Sequence, residues 1–285
     1  MATFTTGLGF PEGPVWLPDG NLLVVEMTPQ TGCITRISSD GKERAQIAKT
    51  GRPNGLALDR GGVLWVAETQ QRAVLKVADG GNPEVFATHC GEHRFLFLND
   101  LTFGPDGALY VTDSGIEAET IAPGGELNPD YRNLDYDGRI IGVDIRSGQA
   151  RWVDRGLKFC NGLAFGPDGV LYVNETLTGN IYHYPHGKRE LFGNVIERFD
   201  ANELKGPDGM KFAADGRLFV AVFGQGDITV LNRDGSVDQR LRTEGLYPTN
   251  LVFGPPGSQS IYVTEMQTGS VQILDAGVDG LPLHG

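Results

Sequence analysis

Residues Cys160-Asn161-Gly162-Leu163-Ala164-Phe165-Gly166-Pro167-Asp168-Gly169-Val170-Leu171-Tyr172-Val173-Asn174-Glu175 place two apolar runs on either side of a Pro-Asp-Gly turn. The turn residues supply the backbone angles of a tight reversal, and the flanking Val, Leu and Tyr favour extended chain. The stretch therefore predicts an antiparallel hairpin. A hairpin alone is only marginally stable in water, so this one needs neighbours.

The rest of the chain supplies them. Asp168 lies seven positions after Asn161, and the same step joins Glu12 to Asp19, Asn54 to Gly61, Asn99 to Asp106 and Asp208 to Asp215. A further copy, Thr249 to Gly257, has a slightly longer turn. Copies spaced by roughly 40 to 60 residues indicate a radial array of β units, which buries its faces only when the units stack. The expectation is an all-β chain folded as a six-bladed β-propeller with a central channel, residues 1–285 forming a single domain. Third strands are expected at Cys33 to Ile37 and Ala73 to Val77.

One copy departs from the pattern. After Tyr110-Val111-Thr112-Asp113 an insertion at about 114–137 carries Pro123-Gly124-Gly125 and Asn128-Pro129-Asp130-Tyr131, and an apolar strand resumes at Gly138. An added loop at one place in a repeat decorates the binding face, so the insertion reads as a lid over the channel mouth.

Composition agrees with an all-β chain, with 41 glycines, 16 prolines and no long run at helical period. No stretch approaches the roughly 18 apolar residues of a membrane span. Met1-Ala2-Thr3-Phe4-Thr5-Thr6 lacks the basic region and apolar core of a signal peptide, so a cytoplasmic protein is expected. The net charge of −12 argues against a nucleic-acid or membrane partner. A small-molecule partner remains, bound by a monomer or small homo-oligomer. Cys33, Cys90 and Cys160 form no CxxC pair and read as reduced thiols.

The residues that open the first strands are Glu12, Asn54, Asn99, Asn161, Asp208 and Thr249. Innermost propeller strands run along the axis, so equivalent positions converge at one end of the channel. This ring is entirely oxygen-bearing and contains no Lys or Arg. Two carboxylates in a channel are costly unless a cation neutralises them. A divalent ion would match Glu12 and Asp208 in charge, with Asn99 and Asn161 as neutral donors. Oxygen ligands from four blades suit calcium first, with magnesium, manganese, zinc or iron(II) as alternatives. The competing reading is that these side chains only cap strand starts.

A second set of acids, Glu26, Glu68, Asp113, Glu175 and Glu265, ends the return strands near the same mouth. Turn capping is their expected role; Asp113, beside the insertion, is singled out as a substrate contact. Asp19, Asp106, Asp168 and Asp215 belong to hairpin turns. His89, His93, His183, His186 and His284 lack zinc spacing, and there is no Gly-x-Ser-x-Gly elbow, P-loop or dinucleotide fingerprint.

Pro11-Glu12-Gly13-Pro14-Val15-Trp16, Asn99-Asp100, Asn161-Gly162-Leu163 and Pro207-Asp208-Gly209-Met210 together resemble the SMP-30/gluconolactonase/LRE family over essentially the whole chain. The resemblance implies a six-bladed propeller whose divalent ion is held by Glu12, Asn99, Asn161 and Asp208. It also implies hydrolysis of a lactone, with Asp208 as the catalytic base and an ion-activated water as the alternative. Organophosphate or aryl-ester hydrolysis at the same ion, or a non-catalytic propeller with a structural ion, are the competing functions. Sugar-lactone members carry an Arg two residues before the third-blade Asn, where this chain has Phe97. A less hydroxylated lactone or ester is therefore expected, contacted by Phe97, Asn54, Asp113 and Tyr131. Arg94, or the lid residues Tyr131 and Arg132, would replace the missing charge.

Overall fold

The computed structural model describes residues 1–78, 81–200 and 203–284. Six four-stranded antiparallel sheets form the blades of a β-propeller. Their innermost strands are Pro11–Trp16, Pro53–Leu58, Leu98–Phe103, Cys160–Phe165, Gly206–Phe212 and Pro248–Phe253. The founding hairpin pairs Cys160–Phe165 with Leu171–Glu175. Its reversal is closed by Gly169 N donating to Gly166 O at 2.9 Å, and Asp168 Oδ1 accepts from Val170 N at 3.1 Å. Asp168 is thus spent on the turn, as its spacing predicts.

Each complete blade carries an outermost strand that the sequence did not announce, such as Arg44–Lys49, Glu190–Asn194 and Val237–Arg242. These strands lie half in water and carry mostly polar residues, so they leave no apolar signature. The sixth blade takes its outer strand from the other end of the chain. Ala2–Thr5 pairs antiparallel with Ser270–Asp275. Phe4 then packs edge-on against Trp16 of blade one (6.4 Å) and Tyr262 of blade six (5.0 Å). First and last residues of the ring are thereby joined without a covalent bond.

Apolar faces pack between blades. Trp65, Phe95, Leu98, Leu101, Phe103, Val111 and Ile141 form one such layer between blades two and three. The three cysteines are buried and free. At the end of the channel away from the strand openers, Leu281–His284 lie against Phe103, Phe165, Lys211 and Phe212. Leu281 N donates to Phe212 O at 2.9 Å, pinning this tail across the axis. Among the described residues no helix is long and apolar enough to cross a membrane.

The insertion is ordered as a short helix, Ala118–Ile121, followed by two single turns, Pro123–Gly125 and Tyr131–Asn133. Ile116, Ile121 and Tyr131 bury against Phe97 of blade three and Leu177 of blade four. Arg72 of blade two pairs with Glu117 at 2.8 Å. On the far side, Arg132 donates to the carbonyls of Leu177 (3.4 Å), Asp200 (3.2 Å) and Glu203 (2.8 Å). Arg132 is therefore committed to fastening the insertion, and Arg94 is exposed on a small hairpin. Neither supplies the charge expected beside Phe97.

Phe4→Ala removes the aromatic contact that closes the ring and is expected to cost about 2 kcal/mol or more. Leu191→Ala, on an exposed outer strand, should stay within about 0.5 kcal/mol of the parent. Equal losses in urea unfolding would show that closure at Phe4 does not limit stability.

Candidate metal and substrate site

Every innermost strand loses its pairing register where it opens. The shifts fall between Glu12 and Val15, Pro53 and Leu56, Leu98 and Leu101, Cys160 and Leu163, Pro207 and Met210, and Pro248 and Asn250. An extra residue in one strand bends it and re-aims its side chains. Repeated in six blades, the bulge falls at Glu12, Asn54, Asn99, Asn161 and Asp208. Glycine follows at four of these places, Gly13, Gly55, Gly162 and Gly209, because the next blade is too close for a side chain. A Cβ on Gly209 would lie 2.0 Å from Asn250 Cγ, and one on Gly162 would lie 2.2 Å from Asp208 O.

The sixth blade differs from its expected alignment. Thr249 does not face the ring with a free oxygen, because its hydroxyl donates to Pro11 O at 2.8 Å and pairs with Thr264 Oγ1 at 2.8 Å. The next residue, Asn250, reaches inward instead and donates from Nδ2 to Glu12 Oε2 at 3.1 Å. Asp100 holds the corresponding place in blade three, opposite on the ring, and its Oδ1 accepts from Leu101 N at 2.8 Å.

Hydroxyl groups fix the openers from the neighbouring blade. Thr69 Oγ1 donates to Leu98 O (2.9 Å), Ser114 Oγ to Cys160 O (3.0 Å) and Thr176 Oγ1 to Pro207 O (2.8 Å), in each case the residue just before an opener. Two of these hydroxyls also accept an amide from their own blade's opener. Asn99 Nδ2 donates to Ser114 Oγ at 3.2 Å, and Asn161 Nδ2 to Thr176 Oγ1 at 3.4 Å. With its nitrogen so used, Asn161 keeps Oδ1 buried without any hydrogen-bond partner, as does Asp100 Oδ2.

Charge makes the same point. Burial pushes the Glu12 carboxyl well above the usual carboxylate range, and Asp208 and Asp100 push it further. Asp208 is raised by the same causes, burial first and Asp100 second, against a hydrogen bond from Asn161. Asp208 is intermediate in exposure as a residue; Glu12, Asn54, Asn99 and Asn161 are at most 6% exposed. Among the described residues, His, Cys, Asp and Glu alone make no group of three ligands. The donor set here depends on amide oxygens, which suit hard cations. Paired buried carboxylates with an unfilled amide oxygen beside them fit a divalent ion.

The return-strand acids hold the loops that lead into the openers. Glu26 accepts from Gly9 N (2.6 Å), Glu175 from Lys158 N (2.6 Å) and Glu265 from Tyr247 N (2.8 Å). Asp113 accepts from Leu96 N (2.9 Å), Phe97 N (3.0 Å) and Gly115 N (3.0 Å), with Arg139 at 3.5 Å. Fully buried and committed on both oxygens, Asp113 sets the position of Phe97; it does not offer a free carboxylate to a substrate. Phe97 packs against Phe159 at 5.6 Å between rings, and Tyr131 sits in the same cluster with its hydroxyl unpartnered. Asn54 is buried at the blade-two bulge. His93 lies in a surface hairpin beside Trp152, away from the openers.

The family description "SMP-30/Gluconolactonase/LRE-like region" matches residues 10–267. The chain belongs to this family. A gluconolactonase of Zymomonas mobilis is 28% identical over 282 residues, spanning 89% of this chain and 75% of its own length. The diisopropyl-fluorophosphatase of Loligo vulgaris is 28% identical over 286 residues, spanning 91% of this chain and 87% of its own length. Among solved structures, the calcium-binding protein regucalcin of Agrobacterium tumefaciens superposes over the whole of both chains with a TM-score of 0.75 at 20% identity. That last likeness extends to the fold.

In this SMP-30-type propeller, Thr176 serves two openers at once, so removing its hydroxyl should disturb both. Thr176→Val is expected to cost about 1 kcal/mol in stability. Urea unfolding of parent and variant checks this, and equal midpoints would show that the hydroxyl positions nothing in the ring.

Proposed function

We propose that this protein is a divalent-cation-dependent hydrolase that opens a lactone. The observation that carries the reading is the convergence of two buried carboxylates, Glu12 and Asp208, on one channel end with the unpartnered Asn161 Oδ1. Membership of a family with gluconolactonase relatives supports the choice of reaction. Glu12, Asn99, Asn161 and Asp208 would hold the ion, calcium first, because ligands from four blades suit its loose coordination. Bound there, a divalent cation polarises the ring carbonyl and stabilises the charge that develops on its oxygen.

The protein's own groups do the rest. Asp208 takes a proton from the attacking water as the water oxygen bonds to the acyl carbon. It returns that proton to the ring oxygen as the acyl C–O bond breaks, leaving a hydroxy acid. Glu12 is held by Asn250 and the Gly13 amide, which keep its carboxylate in place as counter-charge. Residues 116–137, fastened by Arg72 and Arg132, cover the mouth and exclude bulk water. Phe97 and Tyr131 would pack on the substrate, with Asn54 beside them.

The diisopropyl-fluorophosphatase relative favours a second reading, phosphotriester hydrolysis at the same centre, in which a phosphoryl oxygen replaces the carbonyl oxygen. Relative kcat/KM over γ-lactones, aldonolactones, phenyl acetate and a phosphotriester separates the two. Under the leading reading, EDTA abolishes lactone turnover and added calcium restores it. Full activity after complete demetallation would end it. Asp208→Asn should lower kcat about 10³-fold or more with the fold intact. In EDTA the same variant should melt above the parent, because it removes a carboxyl that burial and Asp100 make costly to ionise.

A further inference from the structure

The register that aligns the openers also aligns the residues two positions before them: Phe10, Arg52, Phe97, Phe159, Gly206 and Tyr247. Four are aromatic and one is a cation. The Arg52 guanidinium lies over the Phe97 ring, 5.5 Å from its centroid. Phe97 is itself walled by Phe159, Tyr131 and the apolar side of the insertion. Arg52 is half-buried, and among the described residues no side chain or carbonyl hydrogen-bonds or ion-pairs with its guanidinium. Glu68 and Glu119 act on it electrostatically without forming an ion pair. Glu68 accepts from the backbone amides of Arg52 and Gln71, and Glu119 from Gly124 N at 3.4 Å.

Other arginines around the insertion are used differently. Arg72 pairs with Glu117, Arg132 binds three carbonyls, and Arg139 is shared between Asp113 and Asp137. Guanidinium groups drawn toward a protein interior normally find carboxylates or carbonyls for their five donors. A ring face satisfies none of those donors, although it holds the group flat and leaves its edge free. The second unspent polar group here is the Tyr131 hydroxyl, 95% removed from solvent by the residue's burial and lacking a partner.

We propose that Arg52 is a specificity-determining residue that pairs with an anionic substituent of the substrate, so that the preferred lactone is apolar in body and carries a carboxylate. Charge recognition has moved from blade three to blade two: Phe97 forms the floor and Arg52 lies across it. Planar guanidinium matches a carboxylate through two parallel hydrogen bonds, which a lysine ammonium cannot reproduce. The inference rests on the lactonase reading, yet it can fail separately.

The test compares γ-carboxy-γ-butyrolactone with its carboxamide, using wild-type, Arg52→Met and Arg52→Lys enzymes. Methionine keeps the length of the stem on Phe97 and removes the charge. For the carboxylate, Arg52→Met should lower kcat/KM about 10- to 100-fold, mainly through KM, with the carboxamide changed by less than about threefold. Arg52→Lys should recover part of the loss. An equal loss on both lactones, or a wild-type preference for the carboxamide, overturns the proposal. Should wild-type hydrolyse neither lactone, the lactonase reading falls, and binding of tetrahydrofuran-2-carboxylate decides the role of Arg52. Tighter binding than to its carboxamide, lost in Arg52→Met, upholds anion recognition; indistinguishable binding by wild-type and variant rejects it.

Discussion

Like charges brought together out of water are the constraint on which this propeller turns. Glu12 and Asp208 open two different blades and meet at the axis with Asp100 just beneath, each raised by burial before any neighbour acts on it. Nothing in a hydrophobic core would place three acids there. Lys211 and Asn250 soften the field around Asp100, and Asn250 and the Gly13 amide soften it around Glu12. Those groups compensate in part, and a divalent cation would complete what they leave.

Holding such a site open requires rigidity from the ring itself. Bulges shape the strand openings, close-packed glycines let adjacent innermost strands approach, and hydroxyls stitch three openers to the neighbouring blade. Thr69, Ser114 and Thr176, each just past a return strand, donate to the carbonyl that precedes the next opener, whereas Met27, Gly224 and Met266 hold that place in the other blades. Closure by Ala2–Thr5 belongs to the same logic, since a ring of blades transmits strain only if it has no gap. The site is therefore as firm as the weakest joint between blades.

Above the ring the chemistry changes character. Phe97, Phe159, Tyr131 and Tyr136 make an apolar wall, and Tyr136 is itself pushed up to about 12 by its burial. Asp113 shapes that wall indirectly, by gathering the amides that lead to Phe97. The oxygen-bearing openers and this apolar wall are separated by a few residues of the same strands. Such a division lets substrate preference vary in the loops without touching the oxygens at the axis.

Sequence periodicity was enough to establish the propeller, its six innermost hairpins, the turn aspartates and the oxygen-bearing openers, because each depends on spacing within one blade. The outer strands escaped notice, being polar and half wet, and so did the pairing of Ala2–Thr5 with the last blade, which no local pattern encodes. Thr249 and Asn250 exchanged places for a related reason: a one-residue difference in the bulge reverses which side chain faces inward, and only the paired strand sets it. Arg52 stood in an alignable column from the start, but its position over Phe97 joins two blades. Spacing along the chain fixes what a repeat is; contacts between repeats, which alone bring distant charges and rings together, are decided when the ring closes.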